Sequence, residues 1–438
     1  MDAGSAGRGH QAGALGGSYR KLLLSSSLTN LADGIGLVAW SWLASLITRD
    51  PLAIALVGVA QRLPWFVLAL PAGVIVDRLD RRVIVVAMDA LRFVVLWLLA
   101  LCLAWPGVMP AQPLAEFPTV FIYWLVLASA LTVGSAEVLR DNSAITLMPA
   151  LVPPARLESA NARLFGVELV TNMMVGPPLA GLLLALALPL SFGLTGAAFA
   201  LAGLMVFSIR GRFQSQRTAP ASFLQEAKEG LSYLFARPLL RDLAIGLGFY
   251  NAIENMLLIA LVLYAQEVLG LSSVGYGLLL AGGAVGGLAA AAFGERIIGR
   301  LGRSACLRIA VATLVILSAT PLVLPFVVPI WLAFAVFSMM AMVWNIITIS
   351  LRQRLIPVHL LGRVNSVYRL FGIGMIPLGF VVSGVSVTAA EPLVGRHLAL
   401  FAPFLVGTVL AMFLLAALWR RLSPEAIAAF APPENEVR

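Results

Sequence analysis

Charge is what this sequence has least of. Asp, Glu, Lys and Arg together make up 12% of 438 residues, about half the share of an ordinary soluble domain. A chain this poor in charge cannot clothe itself in polar surface, which excludes a soluble globular protein and leaves the bilayer as its solvent. Cysteine is limited to Cys102 and Cys306. They fall near opposite membrane faces of their spans, so an intramolecular bridge is excluded. Histidine is limited to His10, His359 and His397, dispersed over tail and loops, so neither a metal site nor a resident cofactor is expected. No Ser-His-acid arrangement and no His-rich membrane motif is present, and an enzyme is not expected. The lack of a Gly-x-x-x-x-Gly-Lys-Ser/Thr loop excludes an ATP-driven pump within this chain.

What is present is apolar: 60% of the residues are hydrophobic. They gather into twelve runs of membrane length, at about 22–47, 52–76, 83–105, 119–139, 161–187, 190–209, 240–266, 273–298, 304–326, 329–350, 364–388 and 398–420. Hydrocarbon offers no water to backbone N–H and C=O groups, so runs rich in Ala and Leu close their hydrogen bonds as helices. The short alternating strands of a barrel are missing. The expected class is an all-α integral membrane protein with twelve transmembrane helices.

Lys and Arg set the orientation. With both termini cytoplasmic, the outer loops hold only Arg49 and Arg396, Arg62 falls within a span, and the rest of the 30 basic residues face inward. That is the asymmetry of the positive-inside rule. It accounts for the net charge of +9 through anionic lipid heads, and nucleic acid is not expected as a partner. Scarce Lys beside abundant Ala, Leu and Arg suggests a GC-rich bacterial genome, hence a bacterial plasma (inner) membrane. The expected regions are a disordered cytoplasmic tail (1–21), an N-terminal six-helix bundle (22–209), a cytoplasmic loop (210–239), a C-terminal six-helix bundle (240–420) and a cytoplasmic tail (421–438). No basic region feeds a short apolar core at the start, so no cleaved signal peptide is expected. In the loop, Phe223, Leu224, Ala227, Leu231, Leu234 and Phe235 recur at helical spacing, which predicts a spacer helix lying on the inner surface.

Between the second and third runs lies Gly73-Val74-Ile75-Val76-Asp77-Arg78-Leu79-Asp80-Arg81-Arg82, with five charges in its last six positions. It resembles the Gly-x-x-x-Asp-Arg-x-x-Arg-Arg signature of the major facilitator superfamily, which sits between helices two and three. The resemblance implies the facilitator fold: two six-helix bundles related by a pseudo-two-fold along the membrane normal. It also implies a gate of Gly73, Asp77, Arg78, Arg81 and Arg82. In that gate Asp77 lies against the N-terminus of the eleventh helix, where the macrodipole favours an anion, and pairs with an arginine such as Arg140.

An internal repeat agrees with that fold. A shift of 221 residues sets Asn30-Leu31-Ala32-Asp33 on Asn251-Ala252-Ile253-Glu254, and Gly73 on Gly294. One residue later in register, Arg78-Leu79-Asp80-Arg81 meets Arg300-Leu301-Gly302-Arg303. Halves of six spans each share one orientation and relate by an axis along the membrane normal. The second knuckle has lost its acid.

Ionisable groups inside hydrocarbon are expensive, and their presence marks function. Asp33 lies about eleven residues into the first run, roughly 17 Å deep at 1.5 Å per residue. Glu254 holds the matching depth in the seventh. Asn30 and Asn251 each precede their acid by three residues and share its face. A carboxyl poised there can take a proton from one side and release it to the other, with cargo competing for the same place. The alternative for Asp33 is a helix-locking salt bridge, with Arg62 as its candidate partner. Glu168, with Asn172 one turn on, is a candidate cytoplasmic-side relay or a packing residue. Glu137, Asp89 and Arg92 fall at inner ends, where snorkelling and loop salt bridges are expected.

In the fifth run, Gly176-Pro177-Pro178-Leu179-Ala180-Gly181 resembles the Gly-Pro core of the superfamily's antiporter motif, with Asn172 where the family has an upstream Gly. Gly176, Pro177 and Gly181 are read as a close-packing kink. Three further segments resemble the third drug:proton antiporter group, which holds multidrug, macrolide and siderophore exporters. They are Asn30-Leu31-Ala32-Asp33-Gly34, Leu151-Val152-Pro153 through Ala160-Asn161-Ala162, and Leu361-Gly362-Arg363-Val364-Asn365. The resemblance implies a monomeric secondary transporter exchanging protons for bulky amphipathic small molecules. An importer or facilitator is the alternative, and a transporter-fold sensor a further one. Trp40, Trp42, Trp65, Tyr123, Trp124, Phe249, Tyr250, Met256, Trp344, Tyr368 and Phe371 are candidates to line a broad cavity or to belt the membrane interfaces.

Overall fold

The computed structural model describes residues 16–105, 117–214 and 223–425, and every regular element among them is helical. The first half comprises α1 (Gly17–Ile47), α2 (Pro51–Val67), α3 (Ala69–Arg78), α4 (Arg81–Ala104), α5 (Phe117–Leu147), α6 (Leu157–Glu168), α7 (Gly176–Leu186) and α8 (Leu188–Phe207). After α9 (Phe223–Phe235) come α10 (Pro238–Glu267), α11 (Ser273–Leu301), α12 (Arg303–Val323) and α13 (Val327–Leu355). The chain closes with α14 (Val358–Gly374), α15 (Ile376–Val394), α16 (Arg396–Ala399) and α17 (Ala402–Trp419).

Eleven stretches among the described residues are long and apolar enough to cross a membrane. The difference from twelve lies in the second run. Its apolar helix α2 has 17 residues and ends at Val67, and the chain bends through Leu68 into α3. Pro64 and Pro71 flank that bend, and each lacks the N–H that would continue the ladder. The backbone stays hydrogen-bonded across it, from Leu68 N–H to Pro64 O at 2.7 Å and from Ala72 N–H to Leu68 O at 2.8 Å. The fifth run is also interrupted. A π-helical stretch over Leu169–Val175 separates α6 from α7, where Pro177 and Pro178 follow at once; such turns widen a helix and recur at functional places.

Helices α1, α2, α4, α5, α7 and α8 pack on one another, as do α10, α11, α12, α13, α15 and α17. The two groups meet where α2 lies on α15 and α7 lies on α11. Small residues make the close approaches. A Cβ on Gly34 of α1 would stand 2.2 Å from the Asn172 carbonyl oxygen, and one on Gly176 only 2.6 Å from the Gly34 Cα. On the other flank of α7, a Cβ on Gly181 would meet Ser273 O at 2.5 Å, and Ser273 Oγ donates to Gly181 O at 3.0 Å. The kinked segment is therefore held backbone to backbone between α1 and α11, close packing that only small residues permit.

At the end of α1 remote from Gly17, polar side chains tie the two groups together. Gln266 Nε2 donates to Ser45 Oγ at 2.7 Å, and Arg49 Nη1 donates to Gln266 Oε1 at 2.5 Å. Arg396 grips both oxygens of Glu267 at 3.0 Å and reaches Arg49 O at 2.8 Å. The loop helix α9 forms over Phe223–Phe235, where the spacing predicts a helix. It docks on α14, with Glu229 paired to Arg363 at 2.5 Å and Tyr233 Oη donating to Leu355 O at 3.0 Å.

Gly34→Val places carbons against backbone atoms that cannot rotate away, so it should lower stability by at least ~1–3 kcal/mol. At Gly73 an added Cβ meets nothing within 4 Å, and Gly73→Ala should change stability by less than about 0.5 kcal/mol. Thermal unfolding of purified protein in detergent measures both; equal midpoints for Gly34→Val and wild type would contradict the packing.

Candidate functional site

A cavity of about 420 Å³ lies between the two helix groups, within the roughly 300–1,000 Å³ span of small-molecule sites. Trp40 of α1, Gln61 and Arg62 of α2, and Asn172 and Met173 of the π-helical stretch line one side. Tyr250, Asn251, Glu254 and Asn255 of α10, Tyr276 of α11, and Phe334, Phe337 and Trp344 of α13 line the other. One wall is a series of nearly parallel rings. Phe334 and Phe337 are 10° apart in plane, Tyr250 and Phe337 14°, Tyr250 and Trp344 12°, with centroids 6.4, 5.4 and 6.1 Å apart. The Tyr250 hydroxyl and Trp344 Nε1 are buried without hydrogen-bond partners among the described residues.

Glu254 faces this cavity, half-buried, with neither a hydrogen-bond nor an ion-pair partner among the described residues. Asn251 lines it too, tied to α14 by Nδ2 donating to Gly372 O at 2.9 Å, and Asn255 donates to Asn251 O at 2.8 Å. Within this half the expected grouping of acid and amide on one face is what the structure brings together.

Asp33 is placed differently. It does not line the main cavity but belongs to an ion network behind it. Arg92 of α4, with a side chain 0% exposed, lies 3.1 Å from Asp33 Oδ1 and 3.5 Å from Glu137 Oε2. Glu137 Oε1 accepts from Arg62 Nη1 and from Trp65 Nε1, each at 3.2 Å. The guanidinium of Arg92 also lies 4.2 Å over the Phe199 ring. Within these contacts two carboxylates face two guanidiniums. A second cavity of about 20 Å³ beside it is lined by Asp33, Arg62 and Glu137, room for about one water. Leu37, Trp40, Gln61 and Arg62 line both cavities and form the partition between them.

This arrangement corrects two expectations. Arg62 pairs with Glu137, not with Asp33, because α5 rather than α1 stands opposite its guanidinium. Arg92, Glu137 and Asp89 do not snorkel. Their side chains are 0%, 13% and 0% exposed, since α4 begins at Arg81 and carries Arg92 about eleven residues, roughly 17 Å, inward. Depth counting from that start would have found Arg92.

The other expected site residues are scattered. Asn30 donates to Ser26 O of its own helix at 2.8 Å, and Glu168 is exposed at the end of α6, outside the cavity lining. Arg140 pairs with Asp89 at 3.5 Å and Asp141 at 3.2 Å and donates to Ser25 Oγ at 3.2 Å; the Asp77 side chain lies outside the described residues. Arg81 donates to Thr146 O and Arg82 to Phe207 O, Arg78 O accepts from Gln214, and Asp80 caps α4 through Arg82 N–H at 2.9 Å. Of the expected cavity aromatics, Trp40, Tyr250 and Trp344 line it, whereas Trp124 and Phe249 are 60% and 45% exposed. Phe334, Phe337, Tyr276 and Phe380 were not anticipated.

A bundle of apolar spans that leaves a ligand-sized cavity between two helix groups is the architecture of a multi-pass membrane transporter. The profile of the family described as transmembrane secretion effector matches residues 15–435. The chain belongs to that family, within the major facilitator superfamily. It is 29% identical over 416 residues to the multidrug efflux pump Tap of Mycolicibacterium fortuitum, covering 90% of this chain and 95% of that protein. The fold is shared with a variant of the nucleoside transporter NupG, at a TM-score of 0.70, 12% identity and coverage of 92% and 99%. It is shared also with a bacterial homologue of the iron transporter ferroportin. The inward-facing form gives a TM-score of 0.67 at 19% identity, over 91% of this chain and 98% of that one. The outward-facing form gives 0.56 at 19% identity, over 91% and 99%.

Removing Arg92 strands the Asp33 carboxylate, whereas Glu137 keeps Arg62. Arg92→Met should destabilise by about 3–5 kcal/mol, and adding Asp33→Asn should restore much of that loss. Denaturant unfolding of the single and double variants in mixed micelles checks it; a double variant no more stable than the single would contradict the network.

Proposed function

We propose that the chain is a secondary active transporter that exports bulky amphipathic small molecules in exchange for protons. In this reading two six-helix bundles, 22–209 and 240–420, rock about a pseudo-two-fold along the membrane normal, with the 210–239 loop between them and both termini cytoplasmic. The membrane is a bacterial plasma (inner) membrane, and the working unit is one chain.

The observation that carries the reading is Glu254, the acid on the cavity wall that forms no ion pair among the described residues. A lone carboxylate in such a place needs a positive charge from outside, either a proton or a cationic group of the cargo. Competition between the two is what exchange requires: cargo entering from the cytoplasm displaces the proton, and a proton entering from outside displaces the cargo. The near-parallel rings beside it suit a flat apolar body. Asp33 then has a different task. Its charge is already met by Arg92, so protonating it releases Arg92 and, through Glu137, Arg62 at the cavity partition. Gly34, the next residue, touches the kinked segment of α7, which touches α11 in turn, so a shift in that network reaches the contact between bundles. The ties among Ser45, Arg49, Gln266, Glu267 and Arg396 hold the outer end shut in this form, and the Gly73, Asp77, Arg78, Arg81, Arg82 knuckle with Arg140 gates the inner end.

The name of the Mycolicibacterium relative supports efflux. A facilitator working from the same cavity is the second reading, because the cavity alone does not require protons. Ethidium, a flat aromatic monocation, separates them in everted membrane vesicles. Exchange predicts ethidium uptake that collapses when the pH gradient is dissipated, with Glu254→Gln reduced to background and wild-type levels of inserted protein. Uptake that follows the ethidium gradient alone, in wild type and Glu254→Gln alike, would establish facilitation instead.

A further inference from the structure

The repeat leaves one segment without a role, the second copy of the charged knuckle at Arg300-Leu301-Gly302-Arg303. In the first copy Asp80 stands at the helix start and its carboxylate accepts from Arg82 N–H at 2.9 Å. The aligned residue in the second copy is Gly302, at φ +80°, and α12 begins there with no side-chain cap. A built-in anion is thus present in one copy and missing from the other, while Arg78 and Arg81 keep counterparts in Arg300 and Arg303.

Around that uncapped start lies a groove of about 870 Å³ between the beginning of α12 and the end of α17. Arg303 and Arg308 line it, with Trp419 at its side. The Arg308 guanidinium lies 4.7 Å over the Trp419 ring, and its Nε is buried without a hydrogen-bond partner among the described residues. Ser304 Oγ donates to Leu422 O and pins the end of the chain's last span to α12. The remaining wall is apolar: Ile298, Leu301, Ile309 and Ala312. Leu301 and Trp419 are 51% and 49% exposed. Glu425 lies nearby as an exposed acid, its carboxyl held below its ordinary range first by the Ser423 hydroxyl and also by Arg308.

We infer that this groove is a binding site for an anionic phospholipid. Both α12 and α17 belong to membrane spans, so their adjoining ends lie at the boundary where headgroups sit, and the apolar wall continues along α12 into the bilayer. The two arginines and the free N–H groups at the helix start meet the phosphate. Trp419 occupies the interfacial position that suits an amphipathic ring, and the apolar wall takes the first part of an acyl chain. Basic pockets between spans on the cytoplasmic side are the usual setting for anionic headgroups. The apolar wall makes a lipid the occupant rather than a soluble phosphate.

Native mass spectrometry of the full-length protein, released from detergent with phosphatidylglycerol or phosphatidylcholine, tests the site. Wild type should retain phosphatidylglycerol in preference. Arg303→Gln with Arg308→Gln should weaken that retention by about 30-fold, the effect of two arginines near an anionic surface. Arg20→Gln with Arg210→Gln removes the same charge from another part of the cytoplasmic boundary and should leave retention unchanged. Equal retention by the groove variant and wild type, or equal loss in both variants, would overturn the site. Displacement of the lipid by glycerol phosphate at matched concentration would reduce it to a phosphate site and overturn the lipid assignment. A thermal melt of each variant in detergent confirms folding; should the arginine pair prove necessary for folding, Leu301→Gln with Ile309→Gln weakens the apolar wall and should lower phosphatidylglycerol retention in the same assay.

Discussion

Arg92 carries its charge where no solvent reaches it, and the rest of the first helix group is arranged around that cost. A buried guanidinium is tolerated only with its charge matched and its faces covered. Asp33 from α1 and Glu137 from α5 supply the charge, and the Phe199 ring from α8 covers a face. Three helices are thereby fixed relative to α4 by electrostatics as well as by packing. Arg62 then balances Glu137, which brings the network to the edge of the cavity without opening it.

The two acids that the sequence repeat aligns, Asp33 and Glu254, have parted company. Asp33 is answered by Arg92, whereas Glu254 has no such partner among the described residues. Similar sequence at the two positions, Asn30 to Asp33 and Asn251 to Glu254, conceals this divergence, because the difference lies in the neighbouring helices. The first half supplies Arg92 opposite its acid; the second supplies the rings of Tyr250, Phe337 and Trp344. In the proposed exchange, one acid serves as a conformational lock and the other meets what enters the cavity. The same divergence marks the two knuckles, where Asp80 caps its helix and Gly302 leaves the helix start bare.

Much of the fold was legible in the sequence because a membrane imposes one strong requirement, a long apolar helix, on every span. Where the reading differed, the causes were local. Pro64 and Pro71 bend the second run at Leu68, and the prolines of the fifth run follow a π-helical stretch that hydropathy cannot register. The acids and the Gly-Pro segment were also readable, since each is costly in a span and stands out. Their partners were not. Which residue of α4 faces α1 depends on the rotation of both helices, and a uniformly apolar span carries little information about rotation. For that reason the sequence does not reveal that Arg62 faces Glu137, that Arg92 is buried, or that Phe334 and Phe337 of α13 face the cavity.

The central claim is that Glu254 holds either a proton or cargo. It is tested most directly by adding ethidium to purified protein in weakly buffered detergent solution and following the pH. Wild type should acidify the medium as ethidium binds, and Glu254→Gln, still folded, should not. Ethidium binding to wild type with no release of protons, or the same acidification from both proteins, would contradict it.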